Sequence, residues 1–311
     1  MKIALILTCA LLTLTGCSNL NTLSSPIRVG SYNVRLSTGD INTPNAWATR
    51  KNDLISFIKK LDLDVMGLQE VRPEQARYLD ENLAGYAKIG EHRGKDRISD
   101  EASPVYFRTN RFECIKGGTF WLSKTPDVPG SRGWGASYPR ICSWALLKDR
   151  ITNKSFCFAN VHTDHKSALA RKEGMLLVIK RMKEFAPCGT PIIFTGDHNC
   201  RENSEPAMAV SETLSNALYI SKTPPKGPWR TFNAWNADIN EISTTIALKH
   251  SVEERNSKKI SDKGIFFGHR IDYIYVSKGI QVNNYETHDE FRPGKNLYHS
   301  DHHPVTAELE F

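Results

Sequence analysis

Apolar positions along this chain follow two different periods. Trp47, Leu54, Ile55, Ile58 and Leu61 recur every three or four residues, and the Thr43-Pro44 pair before them predicts an N-cap followed by proline in the first turn. The same period predicts a helix over 167–185, with Met175, Val178, Ile179 and Met182 on one stripe. Pro73 and Pro206 predict the first turns of two shorter helices. Elsewhere the apolar runs are short: 28–33, 65–68, 105–108, 119–122, 144–147, 156–161, 191–195, 270–276 and 305–311. Each predicts a strand. Because some alternate and others are apolar throughout, the expected architecture is two packed sheets covered by helices, a layered α/β sandwich. Residues 222–268 mix Pro, Trp, Asn and charge with weak periodicity, which predicts surface loops with one helix.

Several of these runs stop at polar residues that a core would not choose. Val65-Met66-Gly67-Leu68 ends at Gln69-Glu70, Phe158-Ala159-Asn160-Val161 at His162-Thr163-Asp164, and Ile193-Phe194-Thr195-Gly196 at Asp197-His198-Asn199. The first strand ends at Asn33, Asp272 lies inside a strand, and Ser300-Asp301-His302-His303 precedes the last one. An acid at a strand end is ordinarily solvated, but six such places converge if the strands share one end of the sandwich. Four carboxylates with amide and imidazole partners, and no cysteine, form an oxygen-rich donor set. It suits Mg²⁺, Mn²⁺ or Ca²⁺ rather than structural zinc, and a hard cation beside histidine points to phosphate chemistry.

Composition narrows the class. With 40% hydrophobic and 24% charged residues among 311, the chain has the proportions of a globular protein and not of a disordered or multi-span membrane one. Its formal charge of +7 favours anionic partners. Residues 1–17 resemble a bacterial lipoprotein signal: Lys2, an apolar run too short to span a bilayer, then Leu14-Thr15-Gly16-Cys17. The expected organisation is this leader with Cys17 lipidated, a tether over 18–26, and one domain over 27–311. The product would be anchored in the cell envelope outside the cytoplasm. Of seven cysteines, Cys9 leaves with the leader and Cys17 is acylated. The other five show no metal spacing; one or two disulfides are permitted in an exported protein, but Cys142 and Cys157 sit in strand-like runs, which favours a structural role as small apolar residues.

The motifs Ser31-Tyr32-Asn33-Val34, Leu68-Gln69-Glu70-Val71, Asn160-Val161-His162, Thr195-Gly196-Asp197-His198-Asn199, Arg270-Ile271-Asp272-Tyr273-Ile274 and Ser300-Asp301-His302-His303-Pro304 stand in this order along the chain. Together they resemble the endonuclease/exonuclease/phosphatase superfamily, over about 27–311. One departure is His198, where that family usually carries an apolar residue; its side chain is expected to point away from the metal.

The resemblance implies a deoxyribonuclease I-like fold, a four-layer α/β sandwich of two mixed sheets flanked by helices. It further implies a Mg²⁺-dependent (or Mn²⁺-dependent) hydrolase of phosphoric esters. Glu70 would bind the metal, with Asn33 and Asp301 completing or orienting its shell. Asp197 would orient and deprotonate the attacking water and Asn199 would hold it in line. His302, fixed by Asp272, would donate to a phosphate oxygen, and His162 would support the transition state from the other side. Arg140 is a candidate bidentate phosphate clamp, although a surface arginine is ordinarily just solvated; Arg171, near a helix N-terminus, is a weaker candidate for anion binding. The expected partner is an anionic phosphoester: nucleic acid, phospholipid head group or phosphorylated small molecule. Surplus charge tips the reading toward phosphodiester cleavage by a monomer that meets the membrane through its lipid anchor only. A phosphatase or sphingomyelinase-like hydrolase is the alternative, and a non-catalytic binding lipoprotein is the remote one.

Overall fold

Odd and even positions of the central strands face different cores. The computed structural model describes residues 25–237, 242–256 and 267–311, so the leader and Cys17 lie outside the described residues. The chain runs β1 (Ile27–Asn33), α1 (Trp47–Leu61), β2 (Val65–Gln69), α2 (Pro73–Asn82), β3 (Tyr86–Ile89), β4 (Val105–Arg108), β5 (Phe112–Trp121), β6 (Ile141–Asp149) and β7 (Ser155–His162). It continues α3 (Ala168–Phe185), β8 (Ile192–Asp197), α4 (Glu205–Ser211), β9 (Leu214–Asn216), α5 (Thr244–Ala247), α6 (Val252–Asn256), β10 (Asp272–Ser277), β11 (Gln281–Thr287) and β12 (Val305–Glu310).

The strands form two six-stranded mixed sheets, ordered β11-β12-β1-β2-β4-β3 and β5-β6-β7-β8-β10-β9. Among the described strands only the central pairs β1–β2 and β7–β8 are parallel, because α1 and α3 carry the chain back to its starting end between them. Val29, Val65, Phe158, Ile193 and Ile274 meet between the sheets. The alternate residues Tyr32, Met66 and Leu68 pack under α1 and α2, against Leu54, Ile58 and Leu79. Ala159, Phe194 and Tyr273 do the same under α3 and α4, against Met175, Val178 and Val210. Each central strand is thus buried on both faces, the reason its sequence reads as a continuous apolar run. The result is the predicted four-layer sandwich.

Three expectations need correction. Helix α1 starts at Trp47 rather than at Thr43-Pro44, because the Pro44 and Asn45 carbonyls are taken by Arg292 and Arg50 at 2.9 and 3.0 Å and so are committed to side chains. Strands β3, β9 and β11 had no sequence prediction. Each is a sheet edge, with one strand neighbour and mixed exposure, so no apolar run marks it. The described part of 222–268 holds two short helices rather than one, and although much of it is exposed loop as expected, part of it is not a surface excursion. Trp229 and Phe267 join the inter-sheet core, and Thr231 and Phe232 donate their N–H groups to the His269 carbonyl at 2.9 and 3.0 Å. Irregular backbone is tolerated there because its polar groups are paired.

Among the described residues there is no disulfide; Cys142, Cys157 and Cys200 are buried free thiols that pack as small apolar residues, whereas Cys188 is exposed and Cys114 only partly buried, so that reading does not extend to all five. No described helix is long and apolar enough to cross a membrane.

A buried polar network stitches the sheets together below one end. Asn160 on β7 donates to the carbonyls of Leu68, Ser103 and Pro104 at 2.8, 3.0 and 3.1 Å, and its Oδ1 accepts from Gln69 Nε2 at 2.7 Å. Gly67 is required opposite, since a Cβ there would lie 2.3 Å from Asn160 Oδ1. Asn160→Leu keeps the volume but orphans these groups, and is expected to cost on the order of 3 kcal/mol. Urea unfolding checks this; an unchanged midpoint would show that the network carries no stability.

Candidate active site

The inter-sheet layer turns from apolar to polar at one end without changing parity. Asn33 lies two repeats beyond Val29, His162 two beyond Phe158, Asp197 two beyond Ile193, and Asp272 one before Ile274. Strand register aligns them: Asn33 faces Gln69, and Asp197 lies between His162 on β7 and Asp272 on β10. Ser300 Oγ donates to the Asn33 carbonyl at 2.7 Å and so ties the loop carrying Asp301 and His302 to the end of β1. All six predicted places converge.

Glu70 and Asn199 both adopt left-handed backbone, with φ of 61° and 47°. For residues with a Cβ this costs roughly 1–2 kcal/mol each, which the site contacts must offset. Asn33 Nδ2 donates to Glu70 Oε1 and Asp197 Oδ2, both at 3.0 Å, while its Oδ1 accepts from Arg35 N–H at 3.0 Å. It therefore orients two carboxylates. Leu36 N–H holds Glu70 Oε2 at 2.9 Å. Asn199 N–H donates to Asp197 Oδ1 at 2.9 Å, and Asn199 Nδ2 to the Thr163 carbonyl at 3.1 Å. Asp301 lies beside Arg35 Nη1 at 3.4 Å. Burial raises the Asp301 carboxyl above the usual carboxylate range, His302 opposes that shift, and Glu70 adds to it.

Two imidazoles of opposite character flank Asp197 Oδ2, with His162 Nε2 at 3.5 Å and His302 Nε2 at 3.7 Å. Burial disfavours charge on His302, but Asp272, 2.8 Å from Nδ1, and Asp197 outweigh it and push the imidazole up to about 10. His162 is held well below its usual value by burial, with Arg140 and Arg93 adding to it, and is neutral at pH 7. Its Nδ1 is buried without a partner, 3.8 Å from Glu101 Oε2. Burial raises Asp197 to about 7, with His302 pulling against it. An imidazolium, a neutral imidazole and a carboxyl poised near neutrality are a separated set of acid and base functions.

Glu70, His162, Asp197, Asn199, Asp301 and His302 line a pocket of about 700 Å³, while fully buried Asn33 and Asp272 bond to its lining side chains. Arg140 lies in its wall, 4% exposed, whereas Arg171 does not: its Nη1 donates to the Asp164 carbonyl at 2.8 Å and braces the loop after β7. His198 points the opposite way, as its parity demands, into Phe194, Tyr273 and Tyr275 at 4.8–5.5 Å. Burial lowers it to about 3, so it packs as a neutral ring. Sequence reading missed Arg35, Arg93, Glu101 and Phe232, which also line the pocket. They sit on irregular segments, where no periodic run marks an inward direction.

The donor set fits a hard divalent cation. Candidate ligand atoms of Glu70, His162 and Asp197 lie within 4.8 Å of one another, as do those of Asp197, Asp272 and His302. With Asp301 close by, the oxygens outnumber the nitrogens, and Asp272 Oδ1 is buried with no hydrogen-bond partner. Four carboxylates so gathered call for a counter-cation beyond Arg35 and the His302 imidazolium.

A profile of the Endonuclease/Exonuclease/phosphatase family matches residues 30–302. The chain belongs to this family. Its members are phosphoester hydrolases, and the fold is deoxyribonuclease I-like. A family protein from Bacteroides thetaiotaomicron is 32% identical, with a TM-score of 0.79 over 93% of this chain and 96% of that one. The mannosyl-6-phosphatase of the same organism is also 32% identical, with a TM-score of 0.78 over 92% of this chain and 100% of that one. The Ccr4 3'-5'-exoribonuclease subunit of the CCR4-Not complex of Phaeosphaeria nodorum is 22% identical over 242 residues; the match spans 69% of this chain and 40% of that curated relative.

Proposed function

We propose that this member of the family is a divalent-metal-dependent phosphoesterase in which Asp197 activates a water for in-line attack on phosphorus. The observation that carries this is the placement of Asp197 between a neutral and a charged imidazole, beside Glu70 and within the bonding reach of Asn33. Bound against Glu70 and Asp301, the cation, Mg²⁺ or Mn²⁺, would supply Lewis acidity and neutralise charge on the phosphate. Asn33 holds the two carboxylates in place. Asp197 takes the proton of the water and Asn199 helps position it. His302, kept protonated by Asp272, donates to a phosphate oxygen; neutral His162 donates from the other side; Arg140 offers its guanidinium to the phosphate.

The preference for a phosphodiester rested on surplus positive charge. In the pocket that charge is locally offset: Arg93 pairs with Asp100 and Glu101 at 3.0 and 2.9 Å, and Arg35 with Asp40 at 2.9 Å. The offset removes the argument for a polyanionic strand, and similarity to a mannosyl-6-phosphatase over nearly the whole chain makes a phosphomonoester the favoured substrate. Phosphodiesters, including sphingomyelin and nucleic acid, remain the alternative. A panel of phosphomonoesters, bis(4-nitrophenyl) phosphate, oligonucleotides and sphingomyelin, assayed with Mg²⁺ and with chelator, tests both levels. Hydrolysis should vanish with chelator and return with Mg²⁺ or Mn²⁺; full activity in metal-free protein would sink the mechanism.

We also propose that Cys17 is lipidated and tethers the domain outside the cytoplasm, on the strength of the Leu14-Thr15-Gly16-Cys17 sequence. Cys17→Ser should leave the protein soluble or its leader uncleaved in membrane fractionation. A mutant with cleaved leader that sediments with membranes as wild type does would overturn this.

A further inference from the structure

One side of the pocket contains more buried donors than one phosphate can take up, even with Arg140 facing it. Arg140 Nε and Nη1 and Arg93 Nε are buried with no hydrogen-bond partner, and both residues line the pocket. Arg140 Nη2 contacts His165 Nδ1 at 3.2 Å. The nearest carboxylate, Asp164, is 3.7 Å from Arg140 Nε, and its own oxygens already accept backbone N–H groups of Ser137, Lys166 and Ser167 at 2.8–3.0 Å. A buried guanidinium left this incomplete is costly unless a ligand completes it.

Acceptors stand beside these donors. Glu101 Oε1 is engaged by Arg93 at 2.9 Å, but Oε2 is 3.8 Å from His162 Nδ1, beyond hydrogen-bond distance. Asp100 Oδ1 is shared between Arg93 and Arg72 at 3.0 and 3.3 Å. At the mouth, half-exposed Tyr138 lies over the Arg93 guanidinium, 5.0 Å from ring centroid to Cζ, and beside His165.

We propose that Arg93, Asp100, Glu101 and Arg140, with Tyr138 at the rim, form a subsite for a neutral, polyhydroxylated leaving alcohol of the hexose type. This rests on the phosphoester reading above and specifies what lies beyond the scissile oxygen. Hydroxyl groups both donate and accept, so they match interleaved guanidinium donors and carboxylate acceptors. A second phosphate does not, because Asp100 and Glu101 offset two of the three charges of Arg72, Arg93 and Arg140. A nucleic-acid strand wants a cationic groove that tracks its backbone, and two carboxylates oppose it. The volume of about 700 Å³ suits a small molecule, whose pockets span about 300–1,000 Å³.

The test compares hexose 6-phosphate with phenyl phosphate, which has no hydroxyl groups to read. Asp100→Asn, at a partly exposed side chain that tolerates substitution, and Arg93→Lys should each lower the ratio of kcat/KM for hexose phosphate over phenyl phosphate by about tenfold or more. The loss should fall mainly in KM. Free hexose should also bind the metal-free wild-type protein saturably by calorimetry, and Asp100→Asn should abolish this. An unchanged ratio in both variants, or a wild-type preference for a nucleotide or oligonucleotide over hexose phosphate, overturns the subsite. If hexose binds but no phosphoester is cleaved with any divalent metal, the subsite stands and the hydrolytic reading fails.

Discussion

Replacing Asp272 with asparagine is expected to slow turnover by about one to three orders of magnitude and to move the alkaline limb of the pH–rate profile to lower pH. The cause lies in the 2.8 Å contact between Asp272 Oδ2 and His302 Nδ1, in a site where both side chains are almost wholly buried. Burial alone would strip the proton from His302, whereas Asp272 and Asp197 retain it and raise the imidazole to about 10. A raised histidine is charged below its folded value, so activity that needs the imidazolium persists at neutral pH and is lost as pH rises through about 10. The same pairing stabilises the fold fully below the unfolded value of about 6.5 and fades as pH rises toward 10. His302→Ala should be at least as damaging as Asp272→Asn. The double mutant should be little worse than His302→Ala, because the two act as a unit. Cleanly multiplicative losses, or an alkaline limb that stays put in Asp272→Asn, would show that the pair is not coupled in this way.

Asp197→Asn should depress kcat by about 10²–10⁴-fold with cation affinity much less changed, since it removes the base at the point where two imidazoles meet. Glu70→Gln should do the reverse in emphasis and raise the cation concentration needed for half-maximal activity. Among the described residues Glu70 Oε1 and Oε2 each accept from one neutral donor, Asn33 and Leu36, which leaves its charge to be balanced by a cation. Titrating Mg²⁺ against initial rate in both variants separates the roles; identical half-saturation and identical maximal rates would contradict them. The acid limb of the wild-type profile should report Asp197, whose carboxyl burial raises to about 7. Activity that needs the carboxylate is lost as pH falls through the folded value, and this limb should be absent in Asp197→Asn.

Period and parity along the chain determined the sandwich. Val29, Phe158, Ile193 and Ile274 are separated by even steps from Asn33, His162, Asp197 and Asp272, so core and chemistry had to share one face of each strand. His198, at the opposite parity, had to leave the site for the aromatic cluster under α3 and α4. These were legible because a strand forces alternation locally, whatever packs against it. What lay on irregular backbone was not. Arg93 and Glu101 enter the pocket from a loop, Phe232 reaches His302 at 5.0 Å from a segment without periodicity, and Arg171 turns to a backbone carbonyl rather than to the cavity. Left-handed backbone at Glu70 likewise has no sequence signal in a residue that avoids it. The charges of the two histidines were decided only by tertiary structure: His302 has Asp272 at 2.8 Å and Asp197 to hold its proton, whereas His162 is buried beside Arg140 and Arg93, all distant in sequence. Two equally buried rings differ in charge because one is paired with a carboxylate and the other is crowded by guanidinium groups, and proton affinity there depends on such neighbours and not on residue type.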